Sequence, residues 1–376
     1  LRLNLDCQPH MKVLIFINTS WNIYNFRAGM IRSLIGEGYQ VHALAPEDPY
    51  SNHLIALGCV YHPIEMSNTG SNPVQDLLLM SRLYRVYRKI QPQVVLHYTI
   101  KPNIYGSLVA GLLKIPTICT VSGLGTVFLT SSGYNSIAKL LYKWAFRYPG
   151  RIYFQNQDDL NLFKHNGLLL RQNYHLIPGS GVDTRRFTPE VDPQSGTPFV
   201  FLMMARLIEE KGVLDYLQAA ELLRSQGINA IFQLIGARDP HHKRGIDPRL
   251  FDSGPITYLG EQEDVRLYLR KAHVVVLPSY REGLSRALLE AAAMGKPIVT
   301  SDVPGCREVV KDQINGLLCR PTDPEDLAAK MRAIFLMTDS ERLKLGAKGR
   351  QLVVENYSEE KVVGIYIKTI GELTTN

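Results

Sequence analysis

Leu277-Pro-Ser-Tyr-Arg-Glu-Gly-Leu-Ser-Arg-Ala-Leu-Leu-Glu-Ala-Ala-Ala-Met-Gly-Lys-Pro-Ile298 is the stretch on which the fold turns. The apolar run 273–277 that leads into it reads as a buried parallel strand. A loop with Gly283 follows. Ala/Leu-rich sequence then favours a helix that stops at Gly295, before Pro297, with Ser285 as its N-cap. A strand, a Gly-containing loop and a helix N-terminus in that order gather free backbone N–H groups and the positive end of the helix dipole, which suits an anion. Two carboxylates bracket the turn. Were all eight steps between Glu282 and Glu290 helical, they would point about 80° apart. With Glu282 ahead of the cap, both can reach the C-terminal edge of the sheet, where open α/β sheets hold ligands. Taken alone, such a pair is more often two solvated acids on a surface helix.

Outward from this stretch the chain alternates between strand and helix patterns. Strands are expected at 12–17, 40–45, 94–97, 117–121 and 152–155, with helical periodicity at 26–36, 74–90, 103–113, 136–146 and 158–165. Turn formers crowd 178–183 and 188–198 and mark a boundary. A second set follows, with strands at 199–204, 230–235, 257–259, 274–277 and 297–300. Its helices are expected at 213–224, 263–269, 285–294, 324–335, 340–355 and 358–372. The rhythm predicts two doubly wound α/β domains, 11–185 and 186–357, whose sheet edges face across a cleft. A C-terminal helix, 358–376, packs back toward the first domain.

A hydrophobic share of 45% and a charged share of 20% describe an ordinary globular protein rather than a disordered one. Five scattered cysteines form no C-x-x-C pair, which argues against a disulfide framework or a zinc site and for a reducing cytoplasm. No segment has the unbroken apolar length of a membrane span. The run from Met11 stops at Asn18 and reads as a first strand rather than a signal segment, with Met11 the expected natural start. Residues 1–190 hold 18 Lys/Arg against 10 Asp/Glu, so the whole excess of +7 lies in the first half. That asymmetry calls for an anionic partner. With no nucleic-acid-binding signature, a membrane surface is preferred. Two basic, aromatic, amphipathic segments, 77–90 and 136–151, are the candidates to lie on it.

Four further constellations follow strands. Arg206 and Lys211, leaving a strand end beside Gly212, suit a diphosphate, the first as a planar fork and the second as a point charge. At Gly260 the backbone can approach a flat base closely. The run Asn18-Thr-Ser-Trp-Asn-Ile-Tyr-Asn-Phe-Arg27 lacks the G-x-G-x-x-G fingerprint, which disfavours a nicotinamide enzyme. Its amides and aromatics suit a sugar or, equally, packing at a helix start. The segments 98–106 and 121–128 should line the same edge. The adjacent His241 and His242 lack partners at metal spacing and read as solvated.

Arg206…Lys211-Gly212, Leu259-Gly260 with Asp264, and Glu282-Gly283…Leu289-Glu290-Ala-Ala-Ala-Met-Gly-Lys-Pro together resemble the retaining family-4 glycosyltransferases of the GT-B fold, with their Glu-x7-Glu signature. The strings ending at Arg27, Gly106 and Phe128 are similar to a narrower subgroup, bacterial enzymes extending undecaprenyl-diphosphate-linked sugars. These are the N-acetylgalactosaminyltransferases of the diacetylbacillosamine protein-glycosylation type. The resemblance spans 11–373.

The resemblance implies a UDP-sugar donor, a lipid-linked saccharide acceptor, no metal or other cofactor, and a peripheral place on the inner face of a bacterial plasma membrane. It implies that Arg206 and Lys211 hold the diphosphate, that Glu282 contacts the donor sugar, and that Glu290 binds the ribose and Gly260 the uracil. Gly283, Leu284 and Ser285 would lend amides. It implies acceptor contacts from Asn18, Asn22, Tyr24, Asn25, Arg27, Lys101, Asn103, Ser122, Gly123 and Gly125. One departure stands out: where many members carry a His after the strand 117–121, this chain has Ser122-Gly123. Transition-state help would then fall to amides near 123–125 or to Lys101. Competing expectations keep the fold but use a soluble acceptor, or make the chain a UDP-sugar-binding partner without chemistry of its own.

Overall fold

A computed structural model describes residues 11–67, 72–124, 133–190, 198–240 and 242–375. Contacts divide the chain into two units, 1–180 with 359–376, and 181–358. The first break thus precedes the expected one, after 185, by five residues.

In the first unit seven parallel strands lie in the order β3-β2-β1-β4-β5-β6-β7. They are β1 (Lys12–Phe16), β2 (Gln40–Ala45), β3 (Val60–Pro63), β4 (Val94–Tyr98), β5 (Thr117–Val121), β6 (Arg151–Phe154) and β7 (Tyr174–Leu176). Strand alternation sorts the core into two layers. Val13 and Ile15 face α1 (Ser20–Gly36), while Leu14 and Phe16 face the layer of α3 (Pro73–Ile90), α4 (Ser107–Leu112), α5 (Gly133–Ala145) and α6 (Gln157–His165). The last helix, Glu359–Thr374, belongs to the α1 layer. It is pinned to the sheet by Tyr366 OH to Thr120 Oγ1 and Thr369 Oγ1 to Tyr153 OH, both 2.6 Å. Arg151 adds an ion pair to Glu372 at 2.7 Å.

The second unit has six parallel strands in the order β10-β9-β8-β11-β12-β13 over one continuous core. These are β8 (Phe199–Met204), β9 (Ala230–Ile235), β10 (Ile256–Tyr258), β11 (Val274–Leu277), β12 (Ile298–Ser301) and β13 (Gly316–Cys319). Its helices are α7 (Val213–Ser225), α8 (Arg266–Lys271), α9 (Arg286–Ala293), α10 (Pro324–Leu336) and α11 (Asp339–Asn356).

Three strands and one helix exceed expectation: β3, β7, β13 and α2 (Ser51–Ala56). All are short; β3 and β7 are outermost in their sheet and partly exposed, which removes the unbroken apolar run that marks a buried strand, whereas β13, also outermost, is mostly buried but only four residues long and opens on glycine. Helix α1 begins six residues earlier than its periodicity suggests, because Thr19 Oγ1 accepts the Asn22 N–H at 3.0 Å and caps it. The helix expected at 103–113 opens as a π-helical turn, Pro102–Gly106, before α4.

Candidate functional site

Strand connections reverse direction between β8 and β11 in the second sheet, so the loops leaving these neighbours diverge and leave room for a ligand. Both charged motifs lie there. The β8 loop turns through the 3-10 helix Glu209–Lys211 and ends on Gly212 at φ 70°. A Cβ at Gly212 would run into the Pro278 carbonyl, so glycine is what lets this loop rest on the exit of β11. Tyr280 N and Ser279 Oγ then both donate to Glu210 O, at 2.9 and 3.1 Å, and lock the two loops together. The result is direct contact between Lys211 Nζ and Glu282 Oε1 at 2.5 Å, with both side chains largely buried.

The Glu282 loop is bolted from its other side as well. Glu282 N donates to Pro304 O and Ser285 N to Gly305 O, each at 3.0 Å. Gly305, at φ 82°, has no room for a Cβ against Glu282. The Ser285 amide is therefore engaged within the protein and is not available as the ligand donor expected of it. Its hydroxyl instead caps α9 at Leu288 N, 3.5 Å away. Gly283 is buried, and the Leu284 amide has no partner among the described residues. Glu290 Oε1 takes a hydrogen bond from Arg286 Nε at 2.8 Å. Arg206 is half exposed and leans on Asp239, Nη1 to Oδ2 at 3.3 Å. Each of the four charges named from sequence thus has a counter-charge in place. Arg286, Asp239 and Gly305 were missed. Only Arg286 lay inside the quoted motif, where its spacing from Glu290 was the available signal.

Gly260 lies two strands from β8, with open space where a side chain would be, and its carbonyl accepts from Gly236 N at 3.0 Å. Asp264 is occupied by a two-pronged pair with Arg266, Nε at 2.9 Å and Nη2 at 2.6 Å, and these hydrogen bonds hold its carboxyl down to about 2. Beneath the loops, burial raises the Asp215 carboxyl, which meets Tyr280 OH at 3.3 Å. Burial, with Asp215 beside it, pushes the Tyr280 phenol up to about 12. Among the described residues no group of three or more His, Cys, Asp or Glu could hold a metal ion. His242 Nδ1 accepts its own loop's Arg244 N at 3.2 Å.

At the first sheet's edge the candidate acceptor residues are mostly engaged with their own fold. Asn22 reaches Asn18 Oδ1 at 3.5 Å, and Asn25 donates to Trp21 O at 3.0 Å. Tyr24 stacks obliquely on Tyr50 and His53. Arg27 is buried at 3% exposure with its guanidinium 4.2 Å over the Tyr98 ring, so the structure packs it inside rather than presenting it at the surface. Lys101 Nζ is held by Asp76 at 2.9 Å, and Tyr105 OH donates to the other Asp76 oxygen at 2.7 Å. Asn103 corrects the expectation outright. At 1% exposure it is a brace, Nδ2 donating to Thr120 O at 2.9 Å. Ser122 and Gly123 do follow β5 at the edge, Gly123 with φ 123°, whereas Gly125 lies outside the described residues. His97 sits sealed under Gly106, bonded to Tyr87 OH at 2.8 Å, and burial lowers its pKa to about 3.

Two doubly wound parallel sheets, with a cationic and an acidic pair at the switch point of the second, are the architecture of the GT-B class. The comparisons agree. The family model described as "Glycosyl transferase 4-like" matches residues 12–156 and "Glycosyl transferases group 1" matches 198–336. The chain belongs to this glycosyltransferase family. It is similar to the N,N'-diacetylbacillosaminyl-diphospho-undecaprenol alpha-1,3-N-acetylgalactosaminyltransferase of Campylobacter jejuni, 28% identical over 97% of this chain and 100% of that one. It is also similar to the UDP-Gal:alpha-D-GlcNAc-diphosphoundecaprenol alpha-1,3-galactosyltransferase of Escherichia coli, 25% identical over 79% and 81%. Among solved structures, sucrose-phosphate synthase from Thermosynechococcus elongatus superposes with TM-score 0.80 at 19% identity, covering 97% of this chain and all of that one. HepE of Anabaena in complex with UDP gives 0.77 at 16% identity, covering 96% and 100%.

Proposed function

We propose that the protein moves an N-acetylhexosamine, GalNAc in first place, from a UDP-sugar to a polyprenyl-diphosphate-linked saccharide in bacterial glycan assembly, with retention at the anomeric carbon and without a metal. The observation that carries this is the Lys211–Glu282 contact at the switch point of the second sheet, with Arg206 leaving the same strand. The bond from the sugar's C1 to the phosphate oxygen breaks, and UDP leaves with the electron pair. Arg206 and Lys211 counter the charge that grows on the diphosphate. Glu282 faces the positive character of the sugar in the transition state, while the acceptor hydroxyl oxygen bonds to C1 from the same face and passes its proton to the departing phosphate oxygen. Glu290 accepts from the ribose hydroxyls, and Gly260 leaves space for the base. The names of the two relatives, both of which act on diphospho-undecaprenol saccharides, support the acceptor class.

The same reading puts the first unit against the inner leaflet of the plasma membrane. No helix among the described residues is long and apolar enough to cross a bilayer. Helix α5 and the turn after it expose Ile137, Leu140, Trp144 and Tyr148 at spacings of three and four, beside Lys139, Lys143 and Arg147. Helix α3 exposes Val74, Leu77 and Leu78. From residue 77 to 157 the sequence contains ten Lys or Arg and no Asp or Glu. An apolar stripe edged only with cations suits an anionic headgroup layer.

The test is a panel of labelled UDP-sugars incubated with a lipid-linked saccharide and, separately, with the same saccharide free, the products read by mass. Transfer to the lipid-linked acceptor with UDP release is expected. Equal transfer to the free saccharide contradicts the acceptor assignment, and UDP binding without release from any donor contradicts the chemistry. Sedimentation with vesicles containing anionic lipid should fall for K139E/K143E/R147E, and unchanged sedimentation removes the membrane assignment.

A further inference from the structure

Arg286 sits where two local rules disfavour it. It is the first residue of α9, so its cation faces the positive end of the helix dipole, and no acid in the first turn compensates. An Arg four residues ahead of a Glu is also the weaker order for a helical ion pair. Residues that break local rules without strain elsewhere tend to serve a site.

The geometry gives Arg286 a defined task. Its side chain is only 16% exposed and is fixed at two ends: Nε donates to Glu290 Oε1 at 2.8 Å and Nη1 to Gly181 O at 2.7 Å. The Gly181 carbonyl is itself anchored, because the next residue, Val182, is fully buried and its N–H donates to Tyr357 O at 2.9 Å. A planar guanidinium tied to a fixed carbonyl leaves the carboxylate it grips little freedom. Only Oε1 of Glu290 is engaged; Oε2 has no hydrogen bond among the described residues and is not sealed from solvent.

We infer that Arg286 is a positioning residue for nucleotide recognition. It clamps Glu290 by one oxygen and presents the other to the ribose hydroxyls, and so sets the preference for ribose over deoxyribose. This rests on Glu290 being the ribose ligand of the proposed function. A preorganised acceptor loses no rotamer freedom when the nucleotide arrives, whereas a free Glu must first be ordered. An Arg that touched the diphosphate instead would weaken all nucleotides alike, whatever their sugar.

Calorimetric titration of the full chain with UDP and with 2′,3′-dideoxy-UDP separates these cases. Wild type should favour UDP by about tenfold or more, the scale of hydrogen bonds to a charged acceptor. R286Q should bring that ratio to within about twofold of unity, and R286K should recover part of it, with unfolding midpoints checked alongside. Should R286Q not fold, R286K alone decides: a ratio reduced at least about threefold supports the inference, and a wild-type ratio overturns it. E290Q is the control on the underlying reading. If E290Q keeps the wild-type ratio, or wild type does not bind UDP, the ribose role of Glu290 fails and this inference with it. If E290Q abolishes the preference while R286Q and R286K both keep it, only the role of Arg286 is overturned.

Discussion

The two sheets share an architecture and differ in what they leave at their C-terminal edges. In the second unit the charges that follow β8, β9 and β11 meet one another: Lys211 on Glu282 between the β8 and β11 loops, Arg206 on Asp239 of the β9 loop, and Arg286 on Glu290 within α9. In the first unit the polar residues that follow the strands turn inward. Asn103 braces β5, Lys101 is bound by Asp76 and Tyr105, and Arg27 lies over Tyr98. One edge sets its charges against counter-charges at the switch point. The other uses comparable groups to hold its loops in shape. Substitutions at the two edges should therefore fail differently, the first in turnover and the second in stability.

The largest effect is expected at Glu282. Glu282→Gln should lower turnover by roughly a thousandfold or more, the scale of one preorganised transition-state group, with the unfolding midpoint little changed. A rate within about tenfold of wild type would break the contrast. Next come the first-unit braces. Asp76→Ala leaves the Lys101 ammonium and the Tyr105 hydroxyl without their shared partner and should cost about 3 kcal/mol of folding stability. Asn103→Ala strips the Thr120 carbonyl of its donor and should cost about 1–3 kcal/mol. Turnover per folded molecule should hold for Asn103→Ala. A large loss of rate at full stability would restore Asn103 as a ligand.

Acid probes the first unit as well. His97 is sealed in the first unit, where burial lowers its pKa to about 3, while in the unfolded chain it titrates near the ordinary value of 6.5. Above 6.5 neither state binds the proton. As pH falls toward 3 only the unfolded chain takes it up, so stability declines across that window, by about 2–4 kcal/mol at pH 4. Denaturant titrations from pH 7 to 4 should show the fall, and His97→Gln should lessen it, the remainder coming from His42, whose pKa burial lowers to about 4. A slope unchanged by that substitution would place the acid sensitivity elsewhere. The smallest effect belongs to Asp239→Asn: the pair it makes with Arg206 is exposed, so UDP affinity should shift by less than about threefold.

How much of this was legible in the sequence follows from the same contrast. Residues 277–298 could be read because strand, loop, cap and helix are all local, and because Glu282 and Glu290 occupy fixed places on them. Ser285 was readable as a cap by its type, but the capture of its amide by Gly305 comes from a loop after β12 that no spacing links to it. Asn103 looked like a ligand because an amide after a strand is a ligand type. Its burial depends on the π-helical turn and on β5, both fixed by packing. The outer strands β3 and β7 were hidden for a related reason, since a short, partly exposed edge strand has neither clean alternation nor a continuous apolar run, and β13 is too short for its apolar run to stand out.

The central claim is that the switch point of the second sheet holds a nucleoside diphosphate. Titration of UDP into wild type and into R206A/K211A tests it most directly. Loss of both charge-assisted contacts should weaken UDP by about a hundredfold or more while the variant stays folded. Equal affinity in the two proteins would contradict the account.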